Sequence, residues 1–152
     1  MRVRAGIIFV LCLVTITHAH AQGTTLKPGA YKVETGHSFS HDGKTYDLSG
    51  IRAPGPGQKC ILRAHDRDCG VIARAQLMDL TAGATLRCTF SERTATCSSG
   101  GYDISAQMVH TGWAIATETA PEKYKEIMAK AKARPRGMWM AQFTPPWPSQ
   151  KD

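Results

Sequence analysis

The placement of cysteines constrains this chain more than any other feature. Cys60 and Cys69 are nine residues apart, and so are Cys88 and Cys97. The one other cysteine, Cys12, lies in an N-terminal stretch that reads as a leader. Arg2 and Arg4 make its basic start, Ala5 to Thr17 is apolar apart from Gly6 and Thr15, and Ala19-His20-Ala21 suits a signal peptidase. The run is too short for a membrane span. These features predict a signal peptide over residues 1–21, export to the periplasm or beyond, and a mature chain from Gln22 with no membrane segment. In an exported chain, four cysteines read as two disulfides. Three pairings are possible, and the spacing favours the two local ones, Cys60–Cys69 and Cys88–Cys97. A zinc site would call for close C-x-x-C pairs or nearby histidines, so no metal is expected.

With the leader removed, 17 basic residues face 12 acidic ones, a net charge of +5. That allows an acidic polysaccharide or a nucleic acid as partner through a basic face, without demanding either. The remaining length suits one domain with one core, expected as a monomer.

Residues 22–29 are polar with Gly and Pro and read as a flexible arm. Ala30–Glu34 alternates as a first strand, and Thr35-Gly36 signals a turn. Residues 37–41 and 44–51 read as two more strands around the hairpin pair Asp42-Gly43. Ala53–Lys59 is a Gly/Pro loop, and Cys60–Asp68 a charged, Ω-like excursion. From Gly70 to Leu80 the pattern is helical. Val71, Ala75 and Met78 share one face, and Ile72, Ala73, Gln76 and Leu80 a broader one. Thr85–Phe90 and Thr94–Cys97 form a hairpin that would set Cys88 opposite Cys97.

Asp103 is placed to cap a short helix over Ile104–Thr111, with Gly112 as its stop. Trp113–Ala116 reads as a short buried segment. Thr119 and Glu122 suggest a capping box for a last helix, with Pro121 in its first turn. Tyr124, Ile127, Met128 and Ala131 are its core-facing stripe. The basic run from Lys130 to Arg136 reads mainly as a solvated helix end. Phe143 to Pro148 reads as an extended tail. The order predicts an α+β fold, a small antiparallel barrel closed at one end by helices.

Several of these segments carry a resemblance. Gly50-Ile51-x-Ala53-Pro54 is similar to the G-I-D-A-P-E segment of the staphylococcal nuclease-like (thermonuclease) family. Cys69-Gly70-x-x-Ala73, Arg93-Thr94-x-Thr96-Cys97, Gly112-Trp113-Ala114-Ile115-Ala116, Ala129-x-Ala131-x-Ala133-Arg134 with Gly137-Met138-Trp139, and Phe143-Thr144-Pro145-Pro146-Trp147 resemble further family motifs in the same order. The likeness runs from about Val33 to Trp147. It is greatest to short exported α-proteobacterial members, some labelled as succinoglycan biosynthesis proteins. The resemblance implies an OB-fold barrel of five antiparallel strands with three helices, over residues 30–147, followed by a tail at 148–152.

It also implies cleavage of phosphodiesters with one Ca²⁺, a carboxylate base and two phosphate-binding arginines. Such a site needs hard anionic oxygens on the ion, a base within reach of the water, and fixed positive donors on the phosphate. Carried over residue by residue, the two metal carboxylates fall on His37 and Arg52. The general base falls on Gly55, and the first arginine on Asp47. Only the second arginine is kept, as Arg93. Those substitutions reverse the electrostatics of the site and predict a catalytically inactive member. Arg52 and Asp47 are expected to form a salt bridge. Alternatively, Arg52, His37 and Arg93 would hold an anion. His65, beside Asp66 and Asp68, is expected to face solvent, and His41 beside Asp42 to be a turn residue.

Three functions remain open at this point. The first is an accessory factor in exopolysaccharide production. The second is a Ca²⁺-dependent nuclease with a rearranged site. The third is an interaction domain of the cell envelope.

Overall fold

The computed structural model describes residues 23–142. The predicted leader and the predicted tail from Phe143 lie outside the described residues. The elements are β1 Thr24–Leu26, β2 Lys32–Val33, β3 Ser38–His41, β4 Lys44–Leu48, β5 Ile51–Arg52, β6 Lys59–Leu62, β7 His65–Asp68, α1 Cys69–Thr81, β8 Leu86–Ser91, β9 Thr94–Ser99, β10 Tyr102–Asp103, α2 Ile104–His110, β11 Ile115–Ala116, α3 Glu122–Ala133, a 3₁₀ turn Gly137–Met140 and β12 Ala141–Gln142.

The architecture is mixed α+β: a curled, half-barrel sheet with three α-helices. Its main sheet runs β1-β8-β9-β4-β3-β2, with β10 on β9, and all pairings are antiparallel except β4 with β9. The curl follows from the rings inside it. His41 of β3 stacks on Phe90 of β8 with centroids 5.8 Å apart, although two strands lie between them. Flat, those strands would sit about 14 Å apart. Phe39, Tyr46 and Phe90 fill the concave side. β5 pairs with β11, and β12-β6-β7 make a separate small sheet.

Turn chemistry explains the hairpins. Asp42 and Gly43 take φ of 49° and 72°, the left-handed pair that a two-residue hairpin turn needs. Cys88 lies directly opposite Cys97 with Cα atoms 4.1 Å apart, and the two are disulfide-bonded. Cys60–Cys69 is the second disulfide and staples β6 to the first residue of α1. Asp68 caps α1 by accepting from the Val71 N–H at 3.0 Å, and Asp103 caps α2 by accepting from Ala106 at 3.1 Å.

Three expectations need correction, and two further features, the buried face of α1 and the extent of the main sheet, could not be read from the sequence. The arm is not loose: Thr24–Leu26 pairs with β8 and buries Leu26, because an edge of β8 is open to it. Residues 60–68 are not an Ω-like excursion but the β6–β7 hairpin. Its turn uses Arg63 and Ala64 at φ 52° and 63°, which no glycine announces. On α1 the buried stripe is Cys69, Gly70, Ala73, Leu77 and Thr81, while Val71 and Met78 are exposed. Small residues face inward there because the main chain of residues 36 and 53–55 comes very close. The Thr119 capping box does not form. α3 begins at Glu122, after Pro121, so Thr119 stands too early and instead lies 3.3 Å from the Thr117 hydroxyl. Finally, the main sheet holds seven strands, and two-residue strands such as β2 and β10 leave no periodicity to read.

Candidate functional site

The segment from Gly50 to Gly55 joins the sheet to the helices. Gly50, at φ 75°, accepts through its carbonyl from the Thr117 N–H at 3.0 Å. A Cβ there would press on the Tyr124 ring at 3.2 Å, so this turn takes glycine on both counts. Ile51 and Arg52 then pair with Ala116 and Ile115. Ala53 and Pro54 are buried beneath α1.

His37 stands at the centre of the positions singled out above. Its carbonyl accepts from Leu48 N–H at 2.7 Å, and its own N–H donates to Thr35 Oγ1 at 3.2 Å. Its Nδ1 accepts from the Ala53 N–H at 3.2 Å. That last bond assigns the ring proton to Nε2 and ties the turn before β3 to the loop after β5. Gly36 makes the approach possible: a Cβ there would lie 2.7 Å from that of Ala73 and 2.8 Å from that of Ala53. Burial lowers the pKa of His37. Asp47 pulls it up and Arg52 pushes it down, and the balance leaves it below the usual histidine value. The imidazole is therefore neutral at pH 7.

Asp47 and Arg93 continue the row across the sheet. The Asp47 N–H donates to the Arg93 carbonyl at 2.9 Å. Arg93 itself is exposed in the β8–β9 turn, and Arg52 is half-buried. The fold thus gathers His37, Asp47, Arg52 and Arg93 at one end of β3, β4, β5 and β9. Gly55 lies next along the loop, where its N–H donates to Gln58 Oε1 at 3.1 Å. A Cβ at Gly55 would meet nothing within 4 Å, so its lack of a side chain is not forced by crowding.

The chemistry of this donor set does not fit Ca²⁺. The two metal positions hold an imidazole already accepting from main chain and a guanidinium, where the ion needs hard oxygens. Among the described residues, no three His, Cys, Asp or Glu side chains gather where a metal ion could be held. As an anion pocket the cluster is weaker than its three named residues suggest, because His37 contributes no charge.

His65 and Asp66 are exposed on β7, and Asp68 is used as the α1 cap. His41 does more than turn the chain: its Nδ1 lies 2.7 Å from the Ala30 carbonyl, to which it donates, and its ring covers Phe90. One polar cluster escaped the sequence reading. Tyr124 Oη donates to Asp103 Oδ2 at 2.7 Å, and Lys123 Nζ reaches the same oxygen at 3.1 Å. Burial, then Asp103, drives the Tyr124 pKa well above its usual value. Burial opposes ionisation of Asp103, but its Tyr124, Ala106 and Lys123 donors hold its pKa below the ordinary carboxylate value. The cluster joins α2 to α3, and the cap signal at Asp103 was its only visible trace.

Neither the protein-family models nor the curated proteins contain a match to this chain.

Proposed function

We propose that the chain is an exported, monomeric member of the staphylococcal nuclease-like family that lacks phosphodiesterase activity and serves as an accessory factor in acidic exopolysaccharide production. The strand order β2-β3-β4-β9-β8, with its single parallel step, supports a five-stranded OB-type barrel within the larger sheet. Two disulfides support an oxidising compartment. The observation that carries the loss of chemistry is the Ala53 N–H bond to His37 Nδ1, with Arg52 beside that ring and no side chain at Gly55. A water attacking phosphorus there would find no carboxylate at position 55, where the resemblance sets the base, and loss of a base alone typically slows such a step by about 10²–10⁴. The test is incubation of the purified protein with single-stranded DNA and RNA, with and without millimolar Ca²⁺, alongside retention on an immobilised acidic polysaccharide. Intact nucleic acid with retained protein supports the reading. Nucleotide release, or no retention together with unchanged polymer yield after gene deletion, overturns it.

One observation favours a rearranged nuclease as the second reading: Arg93 is exposed at the lip of the same cluster. That reading requires Ca²⁺-dependent cleavage that Arg93→Ala abolishes.

A further inference from the structure

The outward face of β1, β8 and β9 has a composition that solvation alone does not call for. Leu26, Leu86, Cys88, Ala95 and Cys97 are buried, so the alternate positions of these strands point away from the core. β8 presents Arg87, Thr89 and Ser91 there. β9 presents Thr94, Thr96 and Ser98, and β1 presents Thr25. No acid, no lysine and no large apolar side chain is among them, and Arg87 is their one charge.

The register builds a row at one end of this face. Thr25 lies opposite Arg87, and Arg87 opposite Ser98. Residues directly opposite share a face, with Cβ atoms about 5 Å apart. With Thr85 and the Gly100–Gly101 turn, the row lines an open hollow of about 320 Å³, within the size range of ligand sites. The stem of Arg87 has a fixed neighbour: a Cβ on Gly23 would stand 3.3 Å from Arg87 Cγ, so the chain lies against it there. Among the described residues the guanidinium forms no ion pair. The far end of the face differs. About 14 Å along the strands, Glu92 sits in the β8–β9 turn and Asp47 lies opposite Thr94. These acids confine an anion to the Arg87 end.

We infer that the outward face of β1, β8 and β9 is a docking surface for an acidic glycan, with one sugar carboxylate on Arg87 and the uncharged rings that follow over the Thr89–Thr96 pair. The inference deepens the accessory reading above, rests on it for the acidic polymer, and adds where that polymer lies. Charge complementarity selects the partner. One guanidinium takes one carboxylate in bidentate fashion. The hydroxyls beyond it both donate and accept, as the hydroxyls of a sugar do. Threonine is stiff at χ1, so its hydroxyl is ordered on binding at little entropic cost. A nucleic acid carries a charge about every 3.4 Å along each strand, and here it would meet one cation and then two acids.

The test is an NMR titration of the isotope-labelled protein with oligogalacturonate, with neutral dextran oligomers of equal length, and with oligo-dT, all at about 150 mM salt. Oligogalacturonate is expected to shift the amide signals of β1, β8 and β9. Arg87→Gln is expected to weaken it about fivefold, the size of an exposed ion pair. Thr96→Val, which keeps the branched shape and removes the hydroxyl, is expected to weaken it about threefold. Both positions are exposed, and amide spectra that otherwise match the parent's establish that the variants are folded. Binding whose shifts map elsewhere, or that neither variant weakens, overturns this inference and leaves the accessory reading intact. Dextran bound as tightly as oligogalacturonate overturns the role of the carboxylate, and with it the inference. No binding of any glycan overturns both readings. Tighter binding of oligo-dT at the same amides assigns the face to nucleic acid and overturns the glycan.

Discussion

Gly70→Ala sets two forces against each other. Gly70 lies in the first turn of α1, and glycine in a helix interior is about 1 kcal/mol worse than alanine. Helix propensity alone therefore makes the substitution stabilising. The packing reverses the sign. A Cβ on Gly70 would fall inside the van der Waals shell of the Gly55 carbonyl oxygen and carbon, and 2.7 Å from Pro56 N. The obstacle is main chain, so no side chain can swing aside.

That loop is also held on several sides. Cys69 N–H donates to the Gln58 carbonyl at 2.9 Å, Gln58 N–H to the Gly55 carbonyl at 3.1 Å, and Gly57 N–H to Asp68 Oδ2 at 2.9 Å. Cys60 is bonded to Cys69 at the helix start. Overpacking of this kind costs about 1–3 kcal/mol, and each hydrogen bond given up to relieve it costs about 1 kcal/mol more. With two such bonds lost and the propensity gain subtracted, the net is a destabilisation of about 2–4 kcal/mol, or roughly 10 °C in Tm. Urea and thermal melts followed by circular dichroism measure it, with Val71→Ala, at a 55% exposed position on the same helix, as the near-neutral control. Reduction of the disulfides should shrink the penalty, because Cys60 then no longer restrains the loop. A Gly70→Ala protein as stable as the parent, or more so, refutes the reasoning and places the loop farther from α1.

Asp103→Ala removes the α2 cap and leaves the buried Tyr124 hydroxyl without its acceptor, an expected loss of about 2–4 kcal/mol. Tyr124→Phe should cost about 1 kcal/mol, and a double-mutant cycle between the two should show coupling of that order; additive effects refute the bond. Because the folded-state pKa of His37 lies below its unfolded value, its contribution is complete above about pH 6.5 and is lost as pH falls through the folded value. Tm should therefore drop as pH falls below about 6.5, and His37→Asn, which keeps an acceptor for the Ala53 N–H, should flatten that part of the profile. Asp103 has the same sign at lower pH: its contribution is present above about pH 4 and lost as pH falls through its depressed pKa, so Asp103→Asn should soften the acid limb. Leu26→Ala should cost about 2–5 kcal/mol in a chemical melt if β1 belongs to the fold; an effect below 0.5 kcal/mol would restore the loose arm.

The parts of the fold that were legible are those whose cause is local. Asp42-Gly43 carries its own turn geometry, Asp103 its own cap, and Cys88 and Cys97 sit symmetrically about a short turn. What was not legible depends on distant chain. Nothing near Arg63-Ala64 announces a hairpin turn, because β6 and β7 are aligned by the Cys60–Cys69 bond and by β12. Leu26 is a single apolar residue in a polar stretch, and only the open edge of β8 makes it core. On α1, periodicity offered two faces, one with Val71, Ala75 and Met78 and a broader one with Ile72, Ala73, Gln76 and Leu80, and did not choose between them. Close main-chain approach selected Gly70 and Ala73, a criterion of size that periodicity does not register.

The candidate site divides in the same way. That carboxylates are missing at residues 37, 52 and 55 is plain from the letters. What His37 does in their place is not, because its partner Ala53 is sixteen residues away and reaches it only where Gly36 fits between Ala53 and Ala73. The consequence is electrostatic. A neutral His37 leaves Arg52 and Arg93 as the cations of that end of the sheet, with the Asp47 carboxylate set among them. One anion there offsets half of the positive charge, so the cluster offers an acidic polymer little more than a single cation would.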